Sequence, residues 1–392
     1  MIKRQRRQQW GCLFCVELYN TFGVYSEISI VHLTVATTNK MDYNIIACII
    51  VILKQAQGGL IGMKDSLRNK CDLFTDNYKE MNKKFKWNYT TNTKLGALLY
   101  AMEDKTPDII AINNCKDMIK ENTGIFSQFK DITFFMTSVM LSLHEEPETI
   151  LAGAIGIYDD MKKEGFHSSS YLVLAALSIA LQKEPFEYQR IILSAKNYYD
   201  AMKEEHRFIT SSDDYGFAAM LAMTDKPVNQ AVIEIENCYE ILKEDFSYSN
   251  AVQSLSHVLI FSEEDAKVKC SRVVELYQAL KNKKCKFGSG MELSFLGVIS
   301  LLNEDIEKLA GEIAEAHEYL KDKKGFGYWS ISAKERIMYA AALVCDDYLT
   351  DVKKNTLELT LANNIAGILL AQQMAMMVAA SSGAAAAAAS AT

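Results

Sequence analysis

The stretch Leu151-Ala-Gly-Ala-Ile-Gly-Ile-Tyr158-Asp-Asp-Met161-Lys162 decides the fold, because its apolar residues recur with helical spacing. Leu151, Ala154, Tyr158 and Met161 fall at i, i+3, i+7 and i+10. Residues at these intervals form one apolar stripe along a helix. The stretch therefore predicts an amphipathic helix, called helix B, that ends in the lysines after Met161.

The end of this stretch is a motif that returns along the chain. The other copies are Tyr199 to Lys203, Tyr239 to Lys243, Tyr277 to Lys281 and His317 to Lys321, and Tyr78 to Met81 and Cys115 to Met118 fit the same frame. These seven copies lie about 37–43 residues apart, which is the range of helix-pair repeats. The spacing predicts one helix B for each copy.

The four prolines of the chain mark the expected beginnings of helix B. They are Pro107, Pro147, Pro185 and Pro227. Proline suits the first turn of a helix, because the N–H that it lacks has no helical partner there. In the later copies, acidic residues at 263–265 and 304–305 take this place, and carboxylates favour the positive end of the helix dipole.

A more uniformly apolar helix, called helix A, is predicted between successive B helices. A helix such as 172–181, apolar on most sides, is expected to be buried on most sides, and Ser or Thr before it is expected to cap it. One aromatic residue precedes it in each turn, interpreted as a wedge between neighbouring hairpins. These aromatics are Phe126, Phe166, Phe208, Phe246, Phe287 and Phe326.

One such hairpin cannot bury both of its faces, whereas stacked neighbours can. The sequence therefore predicts an all-α fold of about seven tandem helix hairpins, forming an α-solenoid or, alternatively, a closed α/α toroid. Residues 63–348 are predicted to be the repeat domain and 349–380 a C-terminal helix. The Ala/Ser segment 381–392 is interpreted as a frayed tail or as part of a peripheral helix for a membrane surface or partner.

The first 62 residues share nothing with the repeat. They open with a basic run, residues 3–7, and an apolar patch that contains Cys12 and Cys15. Three interpretations are open: a targeting segment, half of a metal or redox site, or a start that is assigned too early. We expect Met63 to be the natural start, and peptides from residues 1–62 in mass spectra of the native protein would contradict this.

Composition narrows the function classes. A net charge of −7 and a pI near 5.6 argue against nucleic acid as a partner. The nine cysteines show no pairing rhythm and several lie on apolar stripes, which is typical of reduced thiols in the cytoplasm. No run of roughly 18 apolar residues is present, so no integral membrane segment is predicted.

Three features of the chain resemble an uncharacterised bacterial family, domain of unknown function family 4003. They are Glu121-Asn-Thr-Gly-Ile-Phe-Ser127, the turn and helix from Phe166 to Ala176, and the Gln/Met/Ala-rich end from Gln372. The resemblance covers the chain from about Met63 to the C-terminus. It implies the domain boundaries and brings with it no activity and no site residue.

The sequence predicts no catalytic, cofactor-binding or metal-binding residue. The histidines are interpreted as turn and surface residues, because none forms the i, i+4 pair of a zinc helix. Five of the six histidines lie in different repeats, namely His144, His167, His206, His257 and His317. Asp213 and Asp214 form the least ordinary acidic pair, read as helix caps or as carboxylates at the mouth of the array.

Two functions follow as hypotheses. The first is a non-enzymatic scaffold that binds a protein or peptide in the groove of the array. The alternative is an α/α-toroid enzyme acting on a glycan or isoprenoid-like substrate, with Asp213 and Asp214 as acid and base. In that case Tyr328 and Trp329, in the turn from Gly325, would stack on the substrate, although an end cap over the last repeat is the simpler interpretation of that turn.

Overall fold

A computed structural model describes residues 63–85, 90–125, 127–131, 133–224, 226–288, 290, 292–302 and 304–353, without the side chains of 350–353. The predictions for residues 1–62, for the C-terminal helix beyond 353, for the tail 381–392 and for Phe126 lie outside the described residues.

The described residues form fourteen α-helices and no strand, which confirms the all-α prediction. The odd-numbered helices carry the helix B motif and the even-numbered ones the helix A pattern. They are α1 (Asp65–Lys84), α2 (Thr90–Met102), α3 (Ile109–Asn122), α4 (Phe134–Ser142), α5 (Pro147–Lys163), α6 (Ser170–Gln182), α7 (Tyr188–Glu205), α8 (Tyr215–Ala222), α9 (Val228–Leu242), α10 (Ser249–Leu259), α11 (Ala266–Asn282), α12 (Glu292–Ser300), α13 (Ile306–Lys321) and α14 (Ala333–Lys353).

The beginnings of the B helices follow the predicted chemistry with small shifts. Pro147 is the first residue of α5, Pro227 directly precedes α9, and Pro185 begins a short 3-10 turn before α7. In the later repeats the carboxylates of Asp265 and Asp305 cap α11 and α13 by accepting backbone N–H groups, at 2.9 and 2.8 Å. Each device satisfies or removes a donor that the first helical turn leaves unpaired.

The two kinds of helix are buried as their patterns indicate. On α5 the stripe residues Leu151, Ala154 and Met161 are fully buried, while the lysines after Met161 are exposed. On α6 the side chains from Leu172 to Ala180 are all buried. A helices pack on neighbouring A helices, as α6 does on α8, and B helices on neighbouring B helices, as α7 does on α9. The B-to-A turns and the A-to-B turns therefore lie at opposite ends of the helices.

Aromatic residues of the B-to-A turns pack on the motif tyrosine of the following B helix. The ring centroids are 5.5 Å apart for Phe129 and Tyr158, 5.7 Å for Phe166 and Tyr199, and 5.2 Å for Phe246 and Tyr277. The burial expected of a wedge is found for Phe166, Phe246, Phe287 and Phe326. Aromatic pairs of this kind contribute about 0.5–1.5 kcal/mol beyond the area they bury.

Phe208 is the exception, and the wedge prediction is wrong for it. Its side chain is 99% exposed. His206 takes the wedge position instead, with its ring centroid 4.5 Å from that of Tyr239 and its Nε2 2.9 Å from a carboxylate oxygen of Glu236. Because the imidazole already fills the space beside Tyr239, Phe208 is left pointing into solvent.

The first described hairpin contacts the last one. Helix α1 packs against α13 and α14. The ring of Phe326, in the last B-to-A turn, lies 5.3 Å from that of Tyr78 on α1. Beside it, Asp72 accepts a hydrogen bond from the Tyr319 hydroxyl at 2.9 Å and pairs with Lys323 at 2.6 Å. The contact between the turn aromatic and the motif tyrosine is therefore the same here as between neighbouring hairpins along the chain.

Candidate functional site

The turn between α7 and α8 differs from the other B-to-A turns and contains the singled-out acidic pair. Asp213 and Asp214 belong to a short 3-10 turn, Ser212–Asp214, that leads into α8. The Ser211 N–H donates to the Asp214 carboxylate at 2.9 Å, and the Ser211 hydroxyl donates to Asp213. With the Ser211 side chain also facing the Asp214 backbone N–H, Ser211 and Asp214 form a capping box. Asp213 adds only the hydrogen bond that it accepts from the Ser211 hydroxyl.

Asp214 also lies against a buried histidine of α10. Asp214 is 1% exposed and His257 is fully buried. The Asp214 Oδ1 and the His257 Nδ1 are 3.7 Å apart, too far for a hydrogen bond. Burial raises the pKa of Asp214 to about 8, with the charge of Asp213 adding to the shift, and burial lowers the pKa of His257 to about 3. Both groups are therefore mainly uncharged at neutral pH.

The surroundings of His257 leave polar atoms unpaired. Within the described part of the chain, neither ring nitrogen of His257 has a hydrogen-bond partner, and neither does the Gln253 side-chain oxygen. The Gln253 amide donates to the Thr210 hydroxyl at 2.8 Å, which ties α10 to the α7–α8 turn. A buried polar group without a partner costs about 1–3 kcal/mol. The site is thus a costly feature of an otherwise apolar core.

The surface interpretation of the histidines is wrong for His257 and His317, which are both buried. His257 was missed as a neighbour of Asp214 because the two are far apart in sequence. One signal was present, since His257 lies within a helix A, and helices of that kind were expected to be buried on most sides.

Burial limits what this site does chemically. A substrate in contact with the described surface reaches neither the carboxyl of Asp214 nor the imidazole of His257, and only Asp213 of the three is partly exposed. Among the described residues no group of three or more His, Cys, Asp and Glu side chains is placed to hold a metal ion.

The last B-to-A turn places its aromatic residues in two different environments. Phe326 is fully buried, whereas Tyr328 is exposed and Trp329 is 95% exposed. The two exposed rings pack edge to face with centroids 5.1 Å apart. This turn and the α7–α8 turn belong to hairpins that are not neighbours, and no described contact brings Trp329 to Asp213 or Asp214.

Comparison with known proteins identifies one family. The family described as "Protein of unknown function (DUF4003)" matches residues 77–374. No curated protein and no solved structure matches the chain. Within the described residues, no helix combines the length and the apolar character needed to cross a membrane.

Proposed function

The chain belongs to the DUF4003 family of proteins of unknown function, and from the geometry of its helices we propose that it is a non-enzymatic binding protein built as a closed ring of seven helix hairpins. Its binding surface is proposed to be the end of the ring that carries the B-to-A turns. The partner is proposed to be a protein or peptide.

Closure of the ring is supported by the contacts of α1. An open solenoid leaves the outer faces of its first and last repeats to solvent or to capping segments. Here the face of α1 that carries Phe74 and Tyr78 is covered by Phe326, with ring centroids 4.9 and 5.3 Å apart. The solenoid with an open groove therefore has less support than the toroid.

A closed ring offers its turns rather than a long groove to a partner. Apolar side chains that stand out from the B-to-A turns are the observation that carries the proposal. They are Ile125, Phe208, Tyr248, Tyr328 and Trp329. Exposed aromatic residues are enriched at the centres of protein interfaces.

Phe208 and Tyr248 are the proposed anchors for the partner. They lie on adjacent B-to-A turns. The Gln253–Thr210 hydrogen bond of 2.8 Å ties the turn of Phe208 to α10, the helix that Tyr248 directly precedes. Phe208 is free for this role because His206 replaces it as the wedge. Stretches 203–213 and 243–248 around the two rings contain five acidic residues against three basic ones. This charge favours a peptide with basic residues beside its apolar ones.

Selection from a peptide display library tests the proposal. We expect peptides with basic and apolar residues to be enriched on the full-length protein. Replacing Phe208 by Ser, or Tyr248 by Ser, is expected to weaken their binding by roughly tenfold or more, as loss of an interface anchor does. Binding constants from fluorescence anisotropy measure this.

The matched control is Phe186→Ser, because Phe186 is an exposed aromatic residue in an A-to-B turn at the other end of the helices. Its binding should equal that of the wild type. Selected peptides that bind Phe208→Ser and Tyr248→Ser as tightly as the wild type, or an empty selection, would contradict the proposal.

The enzyme hypothesis has weaker support from the same geometry. A carboxyl with a pKa of about 8 suits a general acid, but Asp214 is 1% exposed and serves the capping box. The aromatic residues Tyr328 and Trp329 lie on a different turn from the acidic pair. The cytoplasm is the proposed location, since the six cysteines among the described residues are free and buried.

A further inference from the structure

Two neighbouring B-to-A turns are rich in lysine. They are called the lysine-rich turns and comprise residues 281–292 and 321–335, which hold eight lysines and three acidic residues. Six of the lysines are exposed, namely Lys281, Lys284, Lys286, Lys321, Lys324 and Lys334. The exposed rings of Tyr328 and Trp329 stand among them.

Contacts hold the two turns side by side. Lys334, at the start of α14, lies 3.8 Å from Glu292 of the other turn. Lys321 forms only a surface pair with Glu318 at 2.7 Å on its own helix, and such pairs contribute little. Lys281, Lys284, Lys286 and Lys324 have no carboxylate within 4.0 Å among the described residues. Their charges are therefore directed to whatever approaches this end of the helices.

Lys284 adopts a backbone conformation that lysine disfavours. Its φ is 63°, in the left-handed region. The same position in the α5–α6 turn is Gly165, with a φ of 93°. The two turns share their hydrogen bonds, since Phe166 N–H donates to the Met161 carbonyl and Cys285 N–H to the Leu280 carbonyl, at 3.1 and 2.9 Å. The chain thus carries a lysine where glycine would fit without strain.

The opposite end of the helices has the opposite charge. The six A-to-B turns, residues 103–108, 143–148, 183–187, 223–227, 262–267 and 303–308, hold fifteen acidic residues and five lysines. An anionic surface therefore attracts the lysine-rich turns and repels the other end, which gives the molecule a preferred orientation.

We propose that the lysine-rich turns dock this protein on an anionic membrane surface, with Trp329 and Tyr328 entering the headgroup layer. Lysines attract acidic lipids from outside the membrane, and Trp and Tyr favour the membrane–water interface because an apolar ring carries a polar edge. A flat anionic surface contacts several projecting turn tips at once. This inference goes beyond the peptide surface at Phe208 and Tyr248 and does not depend on it.

Vesicle co-sedimentation of the full chain tests the inference. We expect binding to vesicles of phosphatidylcholine and phosphatidylglycerol in equal parts, and none to phosphatidylcholine alone. The double variant Lys284→Gly/Lys324→Gln should bind roughly 25-fold more weakly, about fivefold for each lysine lost. Trp329→Ser should bind roughly tenfold more weakly. Lipids brominated in the acyl chain should quench tryptophan fluorescence in the wild type, and this quenching should be lost in Trp329→Phe.

The matched control is Lys267→Gln, which removes an exposed lysine from an A-to-B turn and should leave binding unchanged. The basic run at residues 3–7 is present in every variant, so the differences between variants report on the turns alone. Equal binding of the wild type and the double variant would overturn the proposal. Binding to a soluble polyanion such as heparin without binding to the acidic vesicles would overturn it as well, in favour of an acidic macromolecule.

Discussion

At the scale of single residues, the notable feature is an acid and a histidine that burial keeps uncharged. Asp214 and His257 lie 3.7 Å apart in the core, with a raised pKa of about 8 and a lowered pKa of about 3. Unfolding returns both groups to water and to their ordinary pKa values, so each one links stability to pH. Between about pH 4 and 8, folded Asp214 keeps a proton that the unfolded chain has already released.

We predict that Asp214→Asn stabilises the protein at alkaline pH. The free energy of unfolding of the wild type falls as the pH rises from about 4 to 8, because Asp214 ionises readily only in the unfolded chain. The amide of Asn cannot ionise. Between pH 5 and pH 8 the free energy of unfolding of the variant should therefore rise relative to that of the wild type by at least about 1 kcal/mol. Urea unfolding at both pH values measures the difference.

His257 acts in the opposite pH range. Its folded pKa lies below the unfolded value, so it lowers stability as the pH falls below about 6.5, and Asp214→Asn should leave this acid-side loss in place. Asp213→Asn is the control, because Asp213 is partly exposed. It removes only the smaller part of the Asp214 pKa shift, so most of the stability loss toward alkaline pH should remain. A variant Asp214→Asn whose stability follows that of the wild type at every pH would show that Asp214 is charged in the fold.

At the scale of elements, the stability of each hairpin depends on the residue that ends its B helix. In the α5–α6 turn a glycine with positive φ ends the helix, and in the α11–α12 turn a lysine does so. Side chains beyond glycine disfavour this conformation by roughly 1 kcal/mol. The last turn of α11 is therefore less stable than it could be.

We predict that Lys284→Gly raises the free energy of unfolding by about 0.5–1 kcal/mol, because it removes the left-handed strain without changing a hydrogen bond. Thermal and urea unfolding measure the gain. The reciprocal variant Gly165→Ala should lose about as much, since Gly165 has a φ of 93°. Loss of stability in Lys284→Gly would mean that the lysine side chain itself supports the turn.

At the scale of the whole molecule, α1 contacts the last hairpin, which α13 and α14 form. Tyr319 and Lys323 reach Asp72, and Phe326 covers Tyr78. In a repeat protein the ends are where local unfolding begins, because an end repeat has one neighbour only. In the closed ring proposed above, no hairpin is an end.

We predict from this closure that hydrogen exchange protects α1 and α14 as strongly as the internal helices α7 and α9. Phe326→Ala, which should cost about 3–5 kcal/mol as other large-to-small core changes do, is expected to speed exchange first in α1 and α13. Mass spectrometry of deuterated peptides measures both effects.

Phe166→Ala is the matched control, because Phe166 makes the same kind of contact with Tyr199 inside the array. It should speed exchange in α5 and α7 and leave α1 protected. Rapid exchange of α1 in the wild type would contradict ring closure.

The sequence by itself determined the helical content, the seven motif-bearing helices and the inward stripe of residues such as Leu151 and Met161. These features depend on spacing within one helix, and periodicity and capping residues are local. The turn residues were harder to predict. Phe208 follows the pattern of the other wedges, and only its competition with His206 for the space beside Tyr239 places it in solvent.

Only the tertiary structure decided which distant residues meet. Nothing in the local pattern near Tyr78 indicates that Phe326 covers it, and nothing near Asp214 indicates that His257 lies beside it. Such contacts depend on the angles between successive hairpins. Small differences in packing change each angle, and the changes add up from one hairpin to the next. The period of a helix specifies which of its residues are buried. The sum of the angles between hairpins determines which other residues they pack against.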